Sequence, residues 1–297
     1  MKQGVRCSYW GKDAKTHVTY FIDKVSRLGF DVLELEAGMV MERTDEQLRM
    51  LRQYAADRGI VLTVGGGSLR SRSLCDPDAA VRNAGLTWRT KLIEKMEILG
   101  AEIVCGPMHS YWPYDFQETI DIEAERTRSV ESLRELAKVA GNHGVCLCVE
   151  VVNRFENPVL NTAADGVSFC RDIGSKHVKL LLDTFHMNIE EDSIPMAIRQ
   201  AGLYLGHLHT GEGNRKVPGK GHLPWREICE ALQDIGYEGS GVMEPVVRND
   251  VPGAQAFRLW RMQADCSEEA LDRDAAEAAR FLRTLWRSVQ ETRCASK

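Results

Sequence analysis

Four side chains able to bind a metal interrupt otherwise apolar runs. Glu150 follows Cys-Leu-Cys-Val, Asp183 follows Lys-Leu-Leu-Leu, His209 ends Gly-His-Leu-His, and Glu244 follows Gly-Val-Met. A charged group in such a run is costly unless a cation or a hydrogen-bonding partner compensates it. Taken singly, each could be a helix cap, a salt-bridge partner or an exposed residue. Together they close four successive apolar segments at separations of 33, 26 and 35 positions (183−150, 209−183, 244−209). Three carboxylates and one imidazole make an oxygen-dominated donor set that suits a divalent ion such as Mn²⁺, Co²⁺ or Mg²⁺. Mn²⁺ is the expected ion. A thiolate-rich structural zinc site has a different composition.

Residues so far apart meet only if the segments that end in them lie side by side. Short β-branched and apolar runs recur along the chain, each followed by a longer stretch of helical periodicity. The expected strands are Val5–Trp10, Val32–Ala37, Ile60–Gly65, Glu102–Gly106, Val145–Val152, Val178–Asp183, Leu205–Thr210 and Gly241–Pro245. Eight such units predict an α/β fold, a (β/α)8 TIM barrel, in which strand carboxyl ends converge on one functional face. Helix starts are marked by Thr44-Asp45-Glu46-Gln47, Asp76-Pro77-Asp78 and Pro224-Trp225. Gly29, Gly59, Gly100, Gly144 and Gly236 mark helix ends. A dinucleotide-binding fold is disfavoured, because Gly65-Gly66-Gly67 lacks the G-x-G-x-x-G spacing. Residues 1–297 are read as a single domain, with a frayed tail after Trp286. A longer connection from Asn249 to Asp272, bearing Trp260, is expected to pack against the barrel or a second subunit.

Of the 297 residues, 43% are hydrophobic and 27% charged, enough for one large core. The net charge of −5 and the absence of a long basic run argue against a nucleic-acid partner. No window resembles a membrane span, and Met1 to Trp10 contains no apolar segment of a secretion signal, so a cytoplasmic protein is expected. The nine cysteines lack Cys-x-x-Cys spacing and are expected to be reduced.

Around the four candidate ligands the sequence reads Val-Glu-Val-Val-Asn-Arg-Phe-Glu-Asn (149–157), Leu-Asp-Thr-Phe-His-Met-Asn-Ile-Glu-Glu (182–191), Gly-His-Leu-His-Thr-Gly-Glu (206–212), Asn-Arg-Lys-Val-Pro-Gly (214–219) and Met-Glu-Pro (243–245). In these segments and their order the chain resembles the ketose 3-epimerases, the D-tagatose and D-allulose (D-psicose) 3-epimerase family. The likeness runs nearly end to end. It implies a metal held by Glu150, Asp183, His209 and Glu244, with Glu150 and Glu244 also exchanging protons with the substrate. It further implies that Glu156, His186 and Arg215, together with Trp112 and Gly67, contact a free ketose, and that the protein forms a homo-oligomer, a dimer or tetramer. The chemistry is consistent, because a carboxylate of ordinary basicity removes a proton beside a carbonyl only when that carbonyl is polarised.

Three positions depart from the family pattern. Arg6, Ala14 and Val246 stand where the family commonly carries aromatic residues around the far end of the sugar. Arg6 is expected to reach solvent, the alternative being an inward guanidinium favouring an acidic substituent. His207 is read as a packing or supporting residue rather than a fifth ligand. Glu212, Lys216, Lys220 and His222 are read as solvated loop residues. An aldose–ketose isomerase or a keto-sugar lyase would use the same apparatus, whereas a DNA-repair endonuclease would need a basic footprint and a sugar-binding module would not need paired glutamates.

Overall fold

The computed structural model describes residues 1–11, 17–117, 119–251 and 254–295. Its strands are β1 (Lys2–Arg6), β2 (Val32–Glu36), β3 (Val61–Gly65), β4 (Ile103–Gly106), β5 (Cys146–Val151), β6 (Val178–Asp183), β7 (Leu205–Thr210) and β8 (Ser240–Met243). All pair in parallel in chain order, and β1 closes on β8 to complete the barrel. Each strand is nearly or wholly buried, as expected when side chains fill the barrel on one face and helices cover the other.

The surrounding helices are α1 (Val18–Leu28), α2 (Ala37–Met41), α3 (Asp45–Ala56), α4 (Ala79–Leu99), α5 (Ile122–Asn142), α6 (Ala163–Ile173), α7 (Thr184–Glu190), α8 (Ile194–Ala201), α9 (Trp225–Asp234) and α10 (Glu268–Ala295). Local signals fix their ends. Thr44 and Gln47 form a reciprocal capping box on α3, and the Asp78 carboxylate accepts from Ala80 N–H at the start of α4. Gly29 and Gly100 end α1 and α4 in the left-handed region, at φ 87° and 75°.

Three expectations need correction. The first strand is Lys2–Arg6 rather than Val5–Trp10; Cys7–Trp10 is a 3-10 turn. Lys2 and Gln3 hide the strand because its early residues are polar, yet they pair with Ser240 and Gly241. The tail does not fray after Trp286, since α10 continues to Ala295 and buries Val289. The connection after Asn249 is shorter than expected, because α10 begins at Glu268; it packs on the barrel through the buried Ala254 and Leu259, while Trp260 within it stays 68% exposed. Lys24, 1% exposed, ties α1 to α10 through Glu268 and Asp272.

Candidate functional site

The carboxyl ends of β5 to β8 bring the four predicted ligands together. Glu150 is the penultimate residue of β5, Asp183 the last of β6, His209 the penultimate of β7, and Glu244 follows the last residue of β8. Register aligns Asp183 with His209, and the Glu244 N–H extends the ladder by donating to the Thr210 carbonyl at 3.2 Å. One donor atom from each residue lies within 4.8 Å of the others. His209 Nδ1 faces Glu244 Oε2 at 3.1 Å.

The electrostatics fit a cation. Burial, reinforced by Asp183 and opposed by His209, pushes the Glu150 carboxyl up to about 7. Several carboxylates held this close and this dry repel one another until positive charge is supplied. The donor set and its compactness therefore fit one divalent ion, and the order of strands puts Asp183 and His209 between the two glutamates.

The other predicted residues gather beside this cluster. His186, 3% exposed on α7, directs Nε2 at Glu150 (3.6 Å) and Asp183 (4.0 Å), while Asn153 lies 2.7 Å from Nδ1. Burial, offset by Glu156, lowers its pKa from the usual value. Arg215 spans the site, donating to Asp183 at 3.3 Å and to Glu156 at 3.2 Å, with its guanidinium 3.7 Å from the Phe185 ring centroid. It holds a positive φ of 61°, rare for a residue with a side chain. Trp112 donates its indole N–H to Glu156 at 3.1 Å. A Cβ on Gly67 would come within 3.3 Å of the Trp112 Cβ, so the glycine leaves room for the Trp112 side chain to start close beside it. Together they line a cavity of about 390 Å³ that opens over Glu150 and Glu244.

Sequence reasoning missed three features. Phe257, from the loop after β8, packs on Trp112 with centroids 4.7 Å apart and ring planes tilted by 35°, and lines the same cavity. Glu34, in the alternation Val-Leu-Glu-Leu-Glu of β2, is wholly buried and accepts from both His207 and His209. Burial would raise its carboxyl, but His209 and His207 hold it well below the usual range. Glu212, expected to be solvated, is fully buried and accepts from Gly219 N–H, Leu223 N–H and the Trp225 indole. These bonds tie residues 219–225 back to the start of the loop that carries Arg215, where the Arg215 N–H also donates to the Glu212 carbonyl at 2.8 Å.

Arg6 also differs from expectation. Its side chain is 16% exposed, lines the cavity, grips Glu36 with two hydrogen bonds of 3.1 and 3.2 Å, and contacts Glu244. Solvent does not claim it because two carboxylates at the strand ends do. Val246 lines the same cavity, whereas Ala14 falls outside the described residues.

A xylose isomerase-like TIM barrel family model matches residues 22–285. D-psicose 3-epimerase of Ruminiclostridium cellulolyticum is 48% identical over 284 residues, covering 95% of this chain and 97% of that protein. D-psicose 3-epimerase of Agrobacterium fabrum is 44% identical over 284 residues, covering 95% and 98%. The crystal structure of D-psicose 3-epimerase with D-tagatose from Clostridium cellulolyticum superposes with a TM-score of 0.92 at 47% identity, covering 96% of this chain and 99% of that one. With these likenesses spanning nearly its whole length, the chain belongs to the xylose isomerase-like TIM barrels and, within them, to the ketose 3-epimerases, enzymes of the isomerase class.

Proposed function

We propose that the protein is a metal-dependent epimerase that inverts C3 of a free ketose, with Mn²⁺ as the working ion and a D-psicose/D-fructose type hexulose as substrate. The observation that carries this reading is the placement of two glutamates, Glu150 and Glu244, at the two ends of a single four-residue ligand cluster beneath the cavity. Glu150, Asp183, His209 and Glu244 would hold the ion. When bound, it supplies Lewis-acid polarisation of the ketose carbonyl.

The remaining work falls to side chains. Inversion requires a proton to leave C3 on one face of the sugar and return on the other, so two carboxylates are the minimum apparatus. Glu150 and Glu244 fill these roles. Arg215 offsets negative charge developing on the substrate oxygens. His186, whose Nδ1 faces Asn153, presents Nε2 to the same region, and Glu156 holds Arg215 and Trp112 in place. Trp112 and Phe257 offer ring faces to the sugar's C–H surface.

The test is Mn²⁺-loaded protein with D-fructose or D-psicose in deuterated water. The expected product is the C3 epimer labelled at C3, with turnover lowered roughly 10²–10⁴-fold in Glu150→Gln and in Glu244→Gln. An aldose product would favour carbonyl isomerisation, expulsion of a substituent would favour a lyase, and near-normal C3 exchange in both variants would sink the two-glutamate mechanism.

A further inference from the structure

The barrel interior below the cavity contains a second group of polar side chains that the proposed reaction does not use. Glu34 reaches across the barrel from β2 to β7. Its Oε1 lies 3.0 Å from His209 Nε2. Its Oε2 lies 2.9 Å from His207 Nε2, 3.2 Å from Thr63 Oγ1 and 3.3 Å from Cys105 Sγ. All five residues are buried, and Glu34 and His207 have no exposure at all. Four donors surround two carboxylate oxygens, the complement that a buried anion needs.

Donor bookkeeping fixes the proton on His209. A carboxylate accepts and cannot donate, so His209 Nε2 must carry the proton that joins it to Glu34. Nδ1, 3.1 Å from Glu244 Oε2, is the ring nitrogen turned toward the ligand cluster, and with Nε2–H held by Glu34 it is the one left to coordinate an ion. His207 likewise donates from Nε2 and leaves a buried Nδ1 without a partner, which marks it as neutral and as an accessory to Glu34. Gly65 points the same way. Its φ lies outside the left-handed region, so backbone conformation does not demand glycine, but a Cβ there would lie 2.6 Å from Glu34 Oε1. The glycine leaves room for the carboxylate.

We propose that Glu34 is the positioning residue of the metal centre: its carboxylate fixes His209 in the Nε2–H form, aims Nδ1 at the ion, and is seated by His207, Thr63, Cys105 and the space left at Gly65. The proposal rests on the metal reading given above. Carboxylate partners of this kind orient a ligating imidazole and strengthen it as a donor, and their loss typically weakens metal binding 10- to 100-fold. Glu34 makes no hydrogen bond to the ligand carboxylates among the described residues and reaches the ligand cluster directly through His209.

Donor atoms of Glu34, Cys105, His207 and His209 also lie within 4.8 Å of one another, the alternative arrangement being a second ion among them. Cys105 Sγ lies 3.3 Å from Glu34 Oε2, a distance that suits a thiol donating to the carboxylate. The experiment separates the two arrangements. Calorimetric Mn²⁺ titration of the wild-type protein should show one equivalent, with the affinity falling about 10- to 100-fold in Glu34→Gln and in Gly65→Ala. In ¹⁵N-labelled, Mg²⁺-loaded wild-type protein, His209 should retain a proton on Nε2, shifted downfield by its carboxylate partner and moved upfield in Glu34→Gln. The wild-type spectrum decides the matter even where a variant fails to fold. A His209 Nε2 without a proton, wild-type affinity in a folded Glu34→Gln, or a second equivalent that disappears in Cys105→Ser would each overturn the proposal. A wild-type protein that binds no ion would refute the metal reading together with it, whereas binding that ignores Glu34 refutes the positioning role alone.

Discussion

Replacing Glu150 with Gln in the metal-free protein should stabilise it at neutral and alkaline pH. The folded site raises the Glu150 carboxyl from 4.5 to about 7, chiefly by burial. Each pH unit between those midpoints is worth about 1.4 kcal/mol, so the full effect is about 3 kcal/mol. The sign follows from which state holds the proton. Below about pH 4.5 the carboxyl is protonated both folded and unfolded, and folding gains the whole preference for the neutral form. As pH rises through about 7 that gain is lost, because the folded chain must then carry the charge. The amide does not titrate, so urea midpoints of metal-stripped wild type should fall relative to Glu150→Gln from pH 5 to pH 8. Saturating Mn²⁺ should reverse the order, since the ion stabilises the folded form in which the carboxylate is a ligand. Midpoint differences that stay constant with pH, or a gap that opens toward acid, would refute the reasoning.

Three further outcomes are expected. Arg6→Ala should leave the preference for neutral over acidic ketoses within about tenfold, because two hydrogen bonds to Glu36 already occupy the guanidinium; an acidic-sugar preference in kcat/KM that vanishes in the variant would contradict this. Phe257→Ala should raise KM roughly 2- to 10-fold with a smaller change in kcat, the equivalent of one aromatic pair worth about 0.5–1.5 kcal/mol; an unchanged KM would mean that the packing with Trp112 does not shape the bound state. Glu212→Ala should cost about 2 kcal/mol or more, because it orphans two buried donors, Leu223 N–H and the Trp225 indole, and should also lower turnover through Arg215; a melting temperature equal to wild type would exclude it.

The ligands were legible because each breaks an apolar run at a strand end, and strand ends are where a parallel barrel gathers its chemistry. The same logic concealed Glu34. In Leu-Glu-Leu-Glu the acids alternate as on a solvated strand face, and only closure of the barrel shows that this face points inward. Glu212 read as solvated because Gly211, Gly213 and Gly219 surround it, yet the loop folds back on that carboxylate. Phe257 has no periodic neighbours and meets Trp112 across 145 residues (257−112), a contact no local pattern encodes. Arg6 was identified as a departure from the family, but its direction depended on Glu36 and Glu244, one on the next strand and one beyond the last.

Closure of β1 on β8 sets a timetable for synthesis. β1 ends at Arg6, and its partner along that edge ends at Met243, 237 residues later (243−6). At about 5–20 residues per second, roughly 10–50 s separate their emergence. Throughout that interval the growing sheet has an open flank, the kind of edge that recruits other nascent chains. Lys2 and Gln3 place polar groups at the start of that flank. A circular permutant opened between β4 and β5 would join β8 to β1 early and move the waiting edge to the middle of the present sequence.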